Sequence, residues 1–388
     1  MDFRHTPEQD AIRDAVRDLC SRFPDEYWRD LDSRSEYPDA FVQALTDAGW
    51  LAALIPTEYG GAGLGMTEAA LILEEINASG GNAASAHAQM YTMGTLLKHG
   101  SETQKRAYLP KIAKGELRLQ AFGITEPEAG SETTRIKTTA TKRGDRYAVS
   151  GKKIFISRTL QSDLLLLLAR TTPYDELADK TQGLSVFLVD LKAAVAAKKI
   201  TIRPIETMLN HHTTELFIDG LELDASALVG TEGMGFRHII DSWNAERILI
   251  ASESLGDGRW FVERASRYAG ERIVFGRPIG ANQGVQFPLA QAHADLLAAG
   301  LVRDKAAWLF DHGEPCGSES NMAKLLSSQA AWAAGNAAMD TYGGYAYAKD
   351  FHIERKFRET RLFLTAPVSN NLVLAYIAEH VLGLPKSY

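Results

Sequence analysis

Ile239, Trp243, Glu246 and Ile250 follow one another at intervals of four, three and four, so one carboxylate sits within an otherwise apolar helical stripe. Burial beside Trp and Ile disfavours the charged form, raising the pKa toward the value a general base needs near neutral pH. The competing reading is a surface ion pair, because Arg247 follows directly and most helix glutamates live beside a cation. His211-His212-Thr213-Thr214-Glu215 also carries ligand chemistry, but no further ligand cluster completes a coordination sphere, so no metal is expected. Lys356, Arg358 and Arg361 form a basic run that reads as a solvated helix face rather than a phosphate patch.

Elements must bring such groups together. From Thr6 to about Leu117 the apolar spacing is helical, as in Ile12, Val16 and Leu19, with Pro7 suited to a first turn. Pro56 and Gly60 to Gly65 interrupt it, and helical patterning resumes at Met66 and runs, with a break near Gly80, to His99. That glycine run misses the dinucleotide-binding pattern, because Met66 stands where the last glycine would be and no strand precedes it; it reads as a loop. Near Gln120 the texture turns to short β-rich runs: Tyr147 to Ser150, Lys153 to Ser157, Leu164 to Ala169, Leu184 to Val189, Ile200 to Ile205 and Glu215 to Ile218. After Gly233 helical spacing returns near 234–268, 283–313, 317–342 and 369–383. The expected order is an all-α domain over 1–118, an antiparallel β-barrel-like domain over 119–230, and an all-α domain over 231–388 ending in a four-helix bundle. Alternating strands and helices, as in a doubly wound sheet, are missing.

Composition bounds the partners. The 388 residues, 45% hydrophobic and 23% charged, suffice for a large core in two to three domains. The net charge of -7 speaks against a phosphate-backbone partner, so no nucleic acid is expected. Cys20 and Cys316 are the two cysteines, in no CxxC, which fits a reducing cytoplasm. The N-terminus has no signal-like apolar stretch, and the longest apolar runs, Leu372 to Ala378 and Leu164 to Ala169, fall far short of a membrane span; they read as a buried helix piece and a buried strand.

Four segments occur in an informative order: Phe122-Gly123-Ile124-Thr125-Glu126-Pro127-Glu128-Ala129-Gly130-Ser131-Glu132; Gly151-Lys152-Lys153-Ile154-Phe155-Ile156-Ser157; Glu271 to Gly280 with Gln283; and Asp340-Thr341-Tyr342-Gly343-Gly344-Tyr345. With the α, β, α succession they make the whole chain resemble the acyl-CoA dehydrogenase family of flavoproteins. The resemblance implies FAD as cofactor and an acyl-CoA substrate. Phe122, Ile124 and Thr125 would then meet the flavin, Ser131 the CoA, Phe155 would pack on the flavin and Ser157 approach N5. Phe replaces the Trp of many members, so stacking area falls while an apolar wall is kept. Arg272, Phe275 and Gln283 would reach a neighbouring subunit's FAD, with Arg272 on the pyrophosphate, and Asp340, Gly343 and Gly344 would meet its adenosine part. A homo-oligomer is therefore implied, a tetramer built as a dimer of dimers, passing electrons to an electron-transfer flavoprotein.

The resemblance also implies a base. In most members a Glu-Gly-Thr triplet supplies it nine residues after an Arg, where this chain has Pro367, Val368 and Ser369 after Arg358. Isovaleryl-CoA and long-chain acyl-CoA dehydrogenases instead carry their Glu on an earlier helix before an Arg, matching Glu246 in Trp243-Asn244-Ala245-Glu246-Arg247-Ile248. Glu246 is the expected base, Asn244 and Arg247 the expected pantetheine contacts, and Ser369 a flavin contact. Pro367 has no N–H to polarise the thioester carbonyl. Val368 N–H or a flavin ribityl hydroxyl replaces it, or the chemistry differs, as in a nitroalkane oxidase, a flavin-dependent monooxygenase or a catalytically silent acyl-CoA-binding protein.

Overall fold

The computed structural model describes residues 4–387; Met1 to Phe3 and Tyr388, the outer ends of the first and last expected domains, lie outside the described residues. The helical first part comprises α1 (Pro7–Ser21), α2 (Asp25–Arg34), α3 (Asp39–Asp47), α4 (Met66–Ala78), α5 (Ala84–His99) and α6 (Glu102–Ala113). Its ends follow from local chemistry. Thr6 and Gln9 form a reciprocal cap with Pro7 in the first turn of α1, and Ser101 with Gln104 does the same for α6. The glycine-rich run is a loop whose last residue, Gly65, leaves room for the Asp311 carboxylate, 2.9 Å from where a Cβ would stand. Asp311 there accepts from the Met66 and Thr67 N–H groups, at 2.5 and 2.9 Å, and so caps α4 from a distant helix.

The middle part holds β1 (Ala121–Gly123), β2 (Thr139–Arg143), β3 (Arg146–Ser157), β4 (Leu164–Arg170), β5 (Leu184–Asp190), helix α7 (Leu191–Ala196), β6 (Ile200–Pro204), β7 (Thr213–Asp224) and β8 (Leu228–Val229). Among the described residues they make an eight-stranded sheet in the order β6-β7-β3-β2-β4-β5-β8, with β1 on β4. Pairing is mostly antiparallel, but β1 and β2 each meet β4 in parallel. The runs Tyr147 to Ser150 and Lys153 to Ser157 are one strand, β3, whose irregularities against β7 at Val149/Gly151 and Lys153/Ile156 absorb the apparent break. The apolar run of β4 is buried at every position, having neighbours on both faces.

The last part contains α8 (Gly235–Glu271), the short strands β9 (Ile273–Val274) and β10 (Arg277–Pro278), α9 (Gln283–Asp311), α10 (Gly317–Tyr342), α11 (Ile353–Arg361) and α12 (Asn370–Tyr376). The long helices α8, α9 and α10 pack on one another, and the short α11 and α12 lie against α10. Gly256 lets α4 approach α8, since a Cβ there would lie 2.3 Å from the Glu74 carbonyl. Two expectations are corrected. Leu372 to Ala378 is no buried helix piece: Val373 is buried, Leu374 is exposed, and the helix passes into a π turn at Ile377. The basic run is not a solvated face, because Lys356 is fully buried against Asp257 and Glu359, and Arg358 pairs with Asp32 and Glu354; Arg361 alone of the three is exposed. No helix of the described residues is long and apolar enough to cross a membrane.

Candidate functional site

A cavity of about 660 Å³ opens where α5, β1 and its following loop, β3, α8 and the segment between α11 and α12 meet. Glu246 enters it from the middle of α8. Ile239 and Ile250 of its stripe are buried, and Glu246 is only 9% exposed. Among the described residues no hydrogen bond or ion pair ties its carboxylate. Burial pushes its pKa up to about 7, against the opposing charges of His87 and Arg247. Arg247 does not pair with it; its guanidinium lies over the Trp243 ring at 5.9 Å and reaches Asn244 Oδ1 at 3.5 Å.

Facing α8, the loop after β1 presents Ile124 and Thr125. Three contacts pin this ledge from behind. Ile154 N–H donates to the Thr125 carbonyl at 2.9 Å, and the buried Lys153 ammonium donates to the Ile124 carbonyl and to Glu126, each at 2.9 Å. Glu126 also accepts from the N–H groups of Lys137 and Thr138. Burial lowers the Lys153 pKa to about 8, with Glu126 opposing. Phe155 is next: at the second irregularity of β3 its backbone takes a left-handed φ of 58°, and its ring is left 62% exposed along the cavity wall. A bulky residue held in that region is an outlier of the kind that collects at functional sites.

The structure brings together Glu246, Phe122, Ile124, Thr125, Ser131, Phe155, Ser157, Arg247 and Ser369, all of which line this cavity, as does Pro367. It does not bring the others there. Asn244 is half-buried and lines no part of it, while Arg272, Asp340, Gly343 and Gly344 border a separate depression, where the Arg272 guanidinium lies 5.7 Å from the Tyr345 ring centre. Phe275 is fully exposed at the tip between β9 and β10, and Gln283 is exposed at the start of α9. His211 lines the cavity beside the Arg158 guanidinium, 3.3 Å away, and is held well below its ordinary pKa by burial and then by that charge. Among the described residues no group of three or more His, Cys, Asp or Glu is placed to hold a metal.

Cavity residues that the sequence reading passed over are His87 and Tyr91 on α5, and Glu253, Asp257 and Glu359. Their signal was present: Glu253 and Asp257 continue the Glu246 stripe at seven and eleven residues, and His87 and Tyr91 are four apart. A half-exposed aromatic ring, a ledge of backbone and hydroxyl groups, and an unpaired buried carboxylate fit a planar tricycle with an apolar face and a polar edge. That is the lining expected of a flavin-dependent oxidoreductase.

The comparisons agree. Residues 6–116, 121–221 and 233–382 match the models of the acyl-CoA dehydrogenase N-terminal, middle and C-terminal domains. Acyl-CoA dehydrogenase fadE12 of Mycobacterium bovis is 34% identical over 100% of this chain and 99% of its own length. The solved glutaryl-coenzyme A dehydrogenase glutaryl-CoA complex is similar at a TM-score of 0.91 and 29% identity, covering 100% of this chain and 98% of that one. The FAD complex of PigA is similar at a TM-score of 0.92 and 25% identity, covering 99% and 100%. The chain belongs to the acyl-CoA dehydrogenase family. It is an oxidoreductase acting on acyl-CoA, with FAD as its cofactor.

Proposed function

We propose that this enzyme dehydrogenates an acyl-CoA thioester between the α and β carbons, with Glu246 as the base. The observation that carries this reading is the buried, unpaired carboxylate of Glu246, with its pKa near 7, in the cavity that Phe155 walls. Glu246 takes the α proton as the α,β double bond forms, and the β hydrogen leaves with its electron pair. FAD, when bound, would supply the acceptor for that hydride, and an electron-transfer flavoprotein would be the next electron carrier. Ile124 and Thr125 would hold the polar edge of the ring system, Phe155 would close its apolar face, and Ser157 and Ser369 would supply hydroxyl groups beside it. Ser131 and Arg247 would receive the CoA portion, and Asn244, outside the cavity, would act through its 3.5 Å contact with Arg247.

Arg272, Phe275, Gln283, Asp340, Gly343 and Gly344 serve the FAD of a second copy, in a tetramer made as a dimer of dimers. What supports this is the exposure of Ile273, Phe275 and Phe287, apolar residues that a second copy would cover. The three units run over 1–118, 119–230 and 231–388, and the cytoplasm is the proposed compartment. On anaerobic addition of acyl-CoA the yellow protein is expected to bleach, and Glu246→Gln to keep the flavin but lose the bleaching. Full activity in that variant sinks the assignment. A second reading is favoured by Pro367, which lines the cavity without an N–H to offer: a nitroalkane oxidase or a monooxygenase of the same fold. Oxygen consumption without any CoA thioester would support it, and tight acyl-CoA binding with no bleaching would instead indicate a catalytically silent binding protein.

A further inference from the structure

Beyond Glu246 the cavity becomes polar where a hydrocarbon chain calls for apolar walls. Ile250, Glu253 and Asp257 lie four, seven and eleven residues further along the same face of α8, and all line the cavity. Asp257 is already held, by the Lys356 ammonium and by the Thr360 hydroxyl at 2.8 Å. Glu253, 2% exposed, stands 2.5 Å from Nδ1 of His87, which reaches across from α5 and is itself 7% exposed. Nε2 of that histidine is buried and has no hydrogen-bond partner among the described residues. The facing Glu253 Oε1 likewise has no hydrogen-bond partner among the described residues, and a hydroxyl, which both donates and accepts, can partner Nε2 whichever ring nitrogen carries the proton. Buried polar atoms without partners are rare and destabilising, and the exceptions ask for a reason. An alkyl chain would leave Nε2 unsatisfied; an O–H would satisfy it.

We infer that His87 and Glu253 form a recognition subsite for a hydroxyl group on the acyl chain, so that the substrate class is the CoA thioester of a hydroxylated acyl group. This rests on the acyl-CoA dehydrogenation reading. Glu253 argues against a carboxylate at this point, which its charge would repel. Seven residues of helix rise about 10 Å from the base to Glu253, which places the hydroxyl well beyond the reacting carbons.

The test is binding, read by calorimetry on the flavin-loaded Glu246→Gln protein, with acyl-CoA probes of about six to eight carbons ending in methyl, hydroxyl or amino groups. The hydroxyl probe is expected to bind about tenfold more tightly than its methyl counterpart. His87→Phe is expected to abolish that preference, and His87→Gln, which keeps a hydrogen-bonding side chain, to retain part of it. Equal or tighter binding of the methyl probe overturns the proposal, as does tightest binding of the amino probe or a ratio unmoved by His87→Phe. Because affinity rather than turnover is read, the ratio holds or falls whether or not Glu246 is the base. Failure of every probe to bind overturns both readings.

Discussion

At the scale of single residues, Glu246 was legible because a carboxylate in an apolar stripe has one physical consequence, a raised pKa, and burial raises it to about 7. As the base it must be ionised, so kcat/KM is expected to rise with pH through about 7 and level off above, in a profile measured on the flavin-loaded enzyme. The same shift has a stability consequence of opposite sense. A carboxyl with a folded pKa above its unfolded 4.5 binds more protons when folded, so its contribution is present below pH 4.5 and lost as pH rises through 7. Glu246→Gln is thus expected to be more stable than the parent by about 3 kcal/mol above pH 8 and nearly equal to it below pH 4.5, as denaturant melts at both ends would register. What single residues did not disclose is pairing across elements. His87 finds Glu253 only once α5 crosses α8, and no spacing along the chain encodes that crossing.

Elements were legible where period and punctuation agree, and less so where tertiary contacts override them. Gly151 separated the runs Tyr147 to Ser150 and Lys153 to Ser157 in the sequence, yet β7 pairs across that irregularity and a second one at Lys153/Ile156 and holds β3 as one strand. Glu126 could be read as part of a motif but not as the clamp that fixes the Ile124 and Thr125 ledge, since Lys153 arrives from another strand. The largest override is α11, whose charges suggested solvent. Its Lys356 instead lies fully buried between Asp257 on α8 and Glu359, and also donates to the Gly81 carbonyl at 2.8 Å. Removing one partner of such a pair leaves the other charge stranded, at a cost of about 3 to 5 kcal/mol. Lys356→Met is therefore expected to lower unfolding stability by that amount, and the double variant with Asp257→Asn to recover part of the loss. A melting point unchanged in the single variant would mean that the buried pair holds nothing together.

At the scale of the whole molecule, the α, β, α order was legible because helical and strand periods occupy separate thirds of the chain, while the completeness of the site was not. Within one chain, Glu246 and Arg272 open onto separate depressions, so the residues expected to hold one cofactor are divided between two places. A two-fold interface makes each surface meet its counterpart, so both sites would be completed at once, each by residues of the other copy. This predicts complementation. Glu246→Gln removes the proposed base and Arg272→Ala the proposed pyrophosphate contact, and each variant alone is expected to be inactive. Co-expressed with different tags and purified through both, a mixed dimer has one site carrying both defects and one carrying neither. With random pairing before selection, about a quarter of all sites should be intact, and activity should appear from two inactive parents. If Arg272 served the FAD of its own chain, every site in the mixture would keep one defect and no activity would return. The two arrangements thus differ in the presence or absence of turnover.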